Sequence, residues 1–196
     1  MSKKIVILIL IFVLILGAGG FFYWWENREI KGSPADWVIK ETPEGTIVEN
    51  KKAGLTLKAP AGWGTKKMEV EEGAILLSSS GAEIEWRDGK IVLPIKKGCM
   101  TQSNVLYKKM TPEQVKDEAR ASHFLMGVKS EEFKERSINN YRAIENTFDI
   151  QTLGMNIGVY IPLENIIYSF YLNWGPNDKE NCIQEFNKFL ETVQLQ

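Results

Sequence analysis

Polar and apolar residues interleave along this chain everywhere except near its start, where the stretch from Ile5 to Trp25 carries no charge. That uncharged run is about 21 residues long. At ~1.5 Å rise per residue, a helix of that length covers the ~30 Å hydrocarbon core of a bilayer. Lys3 and Lys4 precede it, and Phe21, Phe22, Tyr23, Trp24 and Trp25 close it with residues that favour the membrane–water interface. The run has no polar face anywhere, which argues against a buried core helix of a globular domain. The expectation is an uncleaved transmembrane anchor over residues 1–25 that partners the lipid bilayer from Ile5 to Trp25. A secretory signal peptide is the alternative. The basic start, the apolar core and Gly17-Ala18-Gly19-Gly20 fit one, whereas an aromatic block makes a poor mature N-terminus. The positive-inside rule then gives a single-pass protein of the cell membrane with a cytoplasmic N-terminus and an extracytoplasmic C-terminal domain.

Residues 26–36 are charged and contain Gly32, Ser33 and Pro34, which marks a juxtamembrane linker ahead of a domain at 37–196. Short alternating segments follow at 46–50, 55–59, 66–70, 74–78, 83–86 and 90–95, as strands with one buried face require. Asp88-Gly89 between two of them is a hairpin signal. The segment 96–104 is ambiguous. At Thr111 the period changes: a Thr cap, Pro112 in the first turn and Gln114 at the third position open a helix that stops near Gly127. Strands return at 133–138, 142–152, 156–161 and 166–174, with Asn139-Asn140 as a turn. A second helix at 179–190 carries the apolar stripe Cys182, Ile183, Phe186, Phe189 and Leu190, and Val193 and Leu195 suggest a tail strand. The expected class is α+β: a twisted, mainly antiparallel sheet with two flanking helices behind one N-terminal transmembrane helix.

Charge narrows the partners. The chain has 24 basic and 25 acidic residues, a formal net charge of -1, and no basic stripe. Nucleic acid is therefore not an expected partner. Cys99 and Cys182 are the only cysteines, and both fall in the part expected outside the cell. In an oxidising compartment they are candidates for a disulfide, with two separate buried thiols as the alternative.

Three stretches carry a resemblance to a known group. AGLTLKAPAGW at 53–63 resembles an early strand ending in Pro-x-Gly-Trp, and INNYRAIENTFDI at 138–150 resembles a turn and long strand. NIIYSFYLNW, followed by ENCIQEFNKFLETVQL, resembles a last strand, closing helix and tail. Together they resemble the PsbP/Mog1-like superfamily over most of residues 46–195. The resemblance implies a twisted antiparallel sheet with helices packed on it. It brings no catalytic residues, and fold alone does not assign a function.

Candidate chemistry is sparse. His123, the only histidine, falls late in the first expected helix and reads as a surface or capping residue; a metal site would want more His or Cys ligands than this chain offers. No catalytic, metal or cofactor site is expected. Ser78-Ser79-Ser80-Gly81 lacks the Gly-x-Ser-x-Gly spacing of a nucleophile elbow and reads as a polar turn. Glu69, Glu71 and Glu72, and Glu131, Glu132 and Glu135, lack the spacing of a calcium loop and read as solvated faces. Trp63, Trp86 and Trp174 are candidate binding-surface aromatics if exposed together, and otherwise sheet packing. The functional expectation is a non-catalytic binding or accessory domain of unknown ligand, with an envelope protein or peptide as a possible partner. Two alternatives stand beside it: an envelope hydrolase using Glu83 and Glu85 on one strand face, and a tethered oligomerisation module.

Overall fold

In the computed structural model the described residues are 30–68, 73–150 and 154–196. The expected anchor at 1–25 and the acidic residues Glu69, Glu71 and Glu72 lie outside them. Among the described residues no helix is long and apolar enough to cross a membrane. One unit takes in Lys31–Gln196. It therefore includes part of the expected linker, where Ser33 caps a short 3-10 turn at Pro34–Asp36.

The α+β expectation holds: the paired strands are antiparallel and two helices accompany them. The described strands fall into three sheets rather than one. The largest has the order β10 (Val128–Ile138), β11 (Tyr141–Ile150), β12 (Gly154–Leu163), β13 (Ile166–Trp174), β9 (Cys99–Tyr107), β6 (Ala74–Ser78), β5 (Gly64–Lys67), with β1 (Ile30–Lys31) beside β9. A four-stranded sheet has the order β14 (Gln194–Leu195), β4 (Leu55–Lys58), β3 (Gly45–Asn50), β2 (Trp37–Thr42). A two-stranded ribbon joins β7 (Glu83–Arg87) to β8 (Lys90–Lys97).

Local chemistry explains the segment ends. At the ribbon turn Asp88 and Gly89 both have positive φ, the conformation a tight hairpin turn needs, and Asn139 and Asn140 do the same between β10 and β11. Helix α1 (Pro112–Met126) begins as its sequence predicts: the Thr111 hydroxyl accepts from the Gln114 amide and the Gln114 side chain accepts from the Thr111 amide. Gly127, at φ 71°, ends it in the left-handed conformation that glycine adopts without steric cost. The ambiguous segment 96–104 resolves into the end of β8 and the start of β9. β10 begins directly after Gly127, five residues earlier than the alternation indicates, because as an outer strand it is mostly exposed.

The large sheet has two faces and both are covered. On one, Ile75, Leu77, Val159, Phe170 and Leu172 pack with Val48, Leu55 and Leu57 of the small sheet. Helix α2 (Lys179–Glu191) adds Cys182, Phe186, Phe189 and Leu190 to this core. Burying each such Phe or Leu contributes about 1.5–3 kcal/mol. Burial also pushes the Tyr168 phenol up to about 12, so it stays a neutral donor to the Ala53 carbonyl. On the opposite face, Val115 and Ala119 of α1 pack on Ile144, Tyr160 and Ile167. The ribbon covers Ala74, Leu76 and Met100 there with Ile84, Ile91, Leu93 and Ile95.

Cys99 and Cys182 are joined by a disulfide with a Cα separation of 5.3 Å, tying α2 to the start of β9. The neighbouring backbone leaves no room for side chains. A Cβ on Gly175 would lie 2.6 Å from the Lys97 Cα, and the Gly175 amide donates to the Gly98 carbonyl. The Asp178 carboxylate accepts from the Gly98 amide at 2.7 Å. The bridge spans a sequence separation of 83, so its removal frees a long loop in the unfolded chain. Cys99→Ser with Cys182→Ser is expected to cost about 2–5 kcal/mol, lowering Tm on the order of 10 °C. Thermal unfolding of the variant beside the oxidised parent checks this.

Candidate functional site

Six strand spacings of ~4.8 Å make the large sheet roughly 29 Å across, whereas one helix with its side chains is only ~10–12 Å wide. Helix α1 lies over β10, β11 and β12, and the ribbon packs its side chains on β6 and the start of β9 while β8 also meets β13. Between them the sheet is left open over β13 and β9. The result is a cleft of about 450 Å³.

Its walls are apolar. Met110, Val115, Ala119 and Met126 line one side, and Leu93 of the ribbon reaches it from the other. The floor mixes Leu106, Ile167 and Tyr160 with the polar side chains Gln102, Asn156, Ser169 and Asn173. These polar positions share the floor because alternate residues of a strand share one face. Burial pushes the Tyr160 phenol well above its usual value, and the neighbouring Tyr171 adds to the effect, so it remains an O–H group. The two rings meet edge to face at 5.7 Å between centroids. Gln102 donates to Asn104 at 3.1 Å and Asn156 to the Gly154 carbonyl at 2.8 Å. The floor thus offers neutral amides and hydroxyls. The charged group at the cleft is Glu118, which is paired with Lys108.

His123 corrects its sequence reading as a surface or capping residue. It is only 3% exposed, follows Val115 and Ala119 at four-residue intervals, and stacks on Phe148 at 4.1 Å between centroids. Its Nδ1 lies 2.8 Å from the Glu131 carboxylate. A carboxylate only accepts, so the proton sits on Nδ1. The fully buried Asn146 carboxamide lies 3.4 Å from the same nitrogen. His123 thereby locks α1 to β10 through Glu131 and to β11 through its stack on Phe148, at the edge of the cleft. This signal was present in the sequence, since the inward stripe of α1 extends to it.

The other sequence candidates disperse. Trp63 is buried at 8% and Trp174 half-buried against the same core, while Trp86 is 37% exposed on the ribbon with the Lys66 ammonium 4.0 Å from its ring centroid. The three therefore form no shared exposed platform. Glu83 and Glu85 do not line the cleft, and a register irregularity separates them in β7. Lys96 holds Glu85 below its usual value by hydrogen bond and charge, and Arg87 adds to this. A general acid needs the opposite shift. Glu131, Glu132 and Glu135 do not converge, because each has its own partner: His123, Lys134 and Arg142. No group of three potential metal ligands occurs among the described residues. Ser79 is structural, its hydroxyl accepting from the Cys99 amide at 2.9 Å.

No family model matches the chain, and no curated protein matches it. Among solved structures it is similar to the solution structure of cyanobacterial PsbP from Synechocystis sp. PCC 6803, at 9% identity, covering 83% of this chain and 94% of that one, with a TM-score of 0.48. The α+β class stated above rests on the chain's own elements.

The His123 lock generates a stability prediction. Glu131→Ala leaves a buried imidazole N–H without its acceptor and is expected to cost about 1–3 kcal/mol, with Glu131→Gln milder because its amide oxygen still accepts. Denaturant unfolding of the two variants measures the difference.

Proposed function

We propose that this chain is a membrane-anchored, extracytoplasmic binding domain that acts without catalysis, and that its ligand occupies the cleft between α1 and the ribbon. One observation carries the binding reading: an apolar-walled cleft of about 450 Å³ with neutral amides and hydroxyls on its floor. That is the size and lining of a small-molecule or side-chain pocket. The ligand class is neutral and largely apolar, with a hydrogen-bonding edge. An anion would meet Glu118 and find no free cation on the lining.

Two further points support the reading. The imidazole and the carboxylate at the cleft each have a partner, His123 with Glu131 and Glu118 with Lys108. Neither Ser122 nor Ser169 is hydrogen-bonded to His123, so no nucleophile stands beside a base. The address rests on the uncharged run between Lys4 and Glu26 and its aromatic end.

Nile red, a neutral apolar dye, is expected to bind the unit Lys31–Gln196. Ser122 lines the cleft yet is exposed, so Ser122→Trp fills the opening without touching the core. That variant is expected to bind about tenfold more weakly, ~1.4 kcal/mol, at unchanged Tm. Dye titration with thermal unfolding decides it, and equal binding by both proteins overturns the cleft as the site. Protease added to intact cells is expected to digest residues 37–196, whereas their protection overturns the topology.

A further inference from the structure

We propose that the ligand of the cleft is an extended, uncharged peptide segment that lies edge-on along β13, its side chains on the apolar walls and its backbone amides on the polar floor. This deepens the proposed function and rests on its placing of the ligand in the cleft. The floor is polar in three successive rows across neighbouring strands. Tyr160 stands opposite Ser169 and Tyr171 opposite Gln102, and one step beyond the Ile157–Leu172 pair Asn156 lies beside Asn173. Two of these side chains are deeply buried and still have unused capacity. Ser169 is 8% exposed and its hydroxyl makes no hydrogen bond, whereas Asn156 is 5% exposed and donates to the Gly154 carbonyl, leaving its Oδ1 without a donor. Buried groups left unpaired cost free energy, so these two point to a ligand that supplies hydrogen bonds at both ends of the strip.

The spacing matches a polypeptide backbone. Rows on one strand face recur every second residue, ~6.6 Å at ~3.3 Å per residue. An extended chain has the same repeat: with its side chains turned sideways, the N–H and C=O of every second residue point down. Its side chains then alternate between Met110, Val115, Ala119 and Met126 on the α1 side and Leu93 on the ribbon side. From Ile167 to Asn173 the floor runs ~20 Å, room for about six residues.

Other ligand classes fit worse. A single-headed amphiphile satisfies one row and leaves the others against methylene groups. A sugar carries hydroxyls around its whole rim and would bury some of them against aliphatic walls. Glu118 and Lys108 engage each other, so a charged side chain or terminus gains no counter-ion there.

The test titrates the full-length chain in phosphatidylcholine nanodiscs by calorimetry, with empty nanodiscs as the background. The probe is a hexapeptide of alternating valine and alanine, acetylated at one end and extended by a neutral ethylene-glycol tail at the other. Its comparison compound carries the same side chains with an ester in place of every amide, which removes the N–H donors at nearly constant shape. The peptide is expected to bind, and the ester to bind about tenfold more weakly or worse. Ser169→Ala is expected to weaken the peptide about fivefold, leave the ester unchanged and keep the parent Tm, because the hydroxyl it removes has no partner in the free protein. Equal binding of peptide and ester overturns the peptide assignment, and so does peptide bound equally by Ser122→Trp, which places it outside the cleft. Nile red binding to the unit Lys31–Gln196 without any peptide binding refutes this inference alone, whereas loss of both refutes the cleft as the site.

Discussion

A wide antiparallel sheet with apolar residues on both faces has to be covered twice, and that requirement organises this molecule. Along β6, Ile75 and Leu77 belong to one core while Ala74 and Leu76 belong to another. Along β13, Phe170 and Leu172 face the first core and Ile167 the α1 side. Because a strand's side chains alternate, neither face is free to be left to solvent. The second sheet, both helices and the ribbon are the material that removes those faces from water.

The two faces are covered unequally. The face under α2 receives a four-stranded sheet and a helix carrying Phe186 and Phe189, together with the covalent tie between Cys99 and Cys182. The face under α1 receives a helix at one side and a ribbon at the other, which together are narrower than the sheet. The uncovered strip is the cleft, and its floor is polar where β9 and β13 carry Gln102, Ser169 and Asn173. Those residues suit a partly wet strip and would be costly under a helix, since a buried amide without a partner is destabilising. Sequence and coverage agree on where the opening lies.

Much of this was legible from local patterns. The start of α1 follows from Thr111, Pro112 and Gln114, the ribbon turn from Asp88-Gly89, and the buried stripe of α2 from the spacing of Cys182, Phe186 and Phe189. These are short-range effects, set within a turn or two of backbone. What alternation does not encode is the partner of each face. β14 pairs with β4 across nearly the whole domain, Leu195 opposite Leu55, and β9 takes β13 on one side and β6 on the other. Hence one expected sheet became three. The place of Ser169 and Asn173 on the cleft floor is hidden for the same reason, because nothing local says that α1 and the ribbon flank that face. His123 was missed differently: its helical register with Val115 and Ala119 pointed inward, but a lone histidine late in a helix fits a cap equally well until Glu131 is seen beside it.

The helices differ in how firmly they are held, and this bears on the cleft. α2 buries two phenylalanines, a leucine and a disulfide cysteine. α1 buries only Val115, Ala119 and His123, and the first two are small. Apolar burial scales with area, so α1 gains much less from the sheet, and more of its attachment is polar: Glu131 on His123, and Lys108 on Glu118. Regions with few buried apolar contacts open at lower free energy than the rest of a fold. α1 is therefore the softer wall of the cleft, and the disulfide, placed on the far side of the sheet, does nothing to hold it. The walls of the cleft, α1 and the ribbon, pack on clusters separate from the main core, so α1 can yield without disturbing that core.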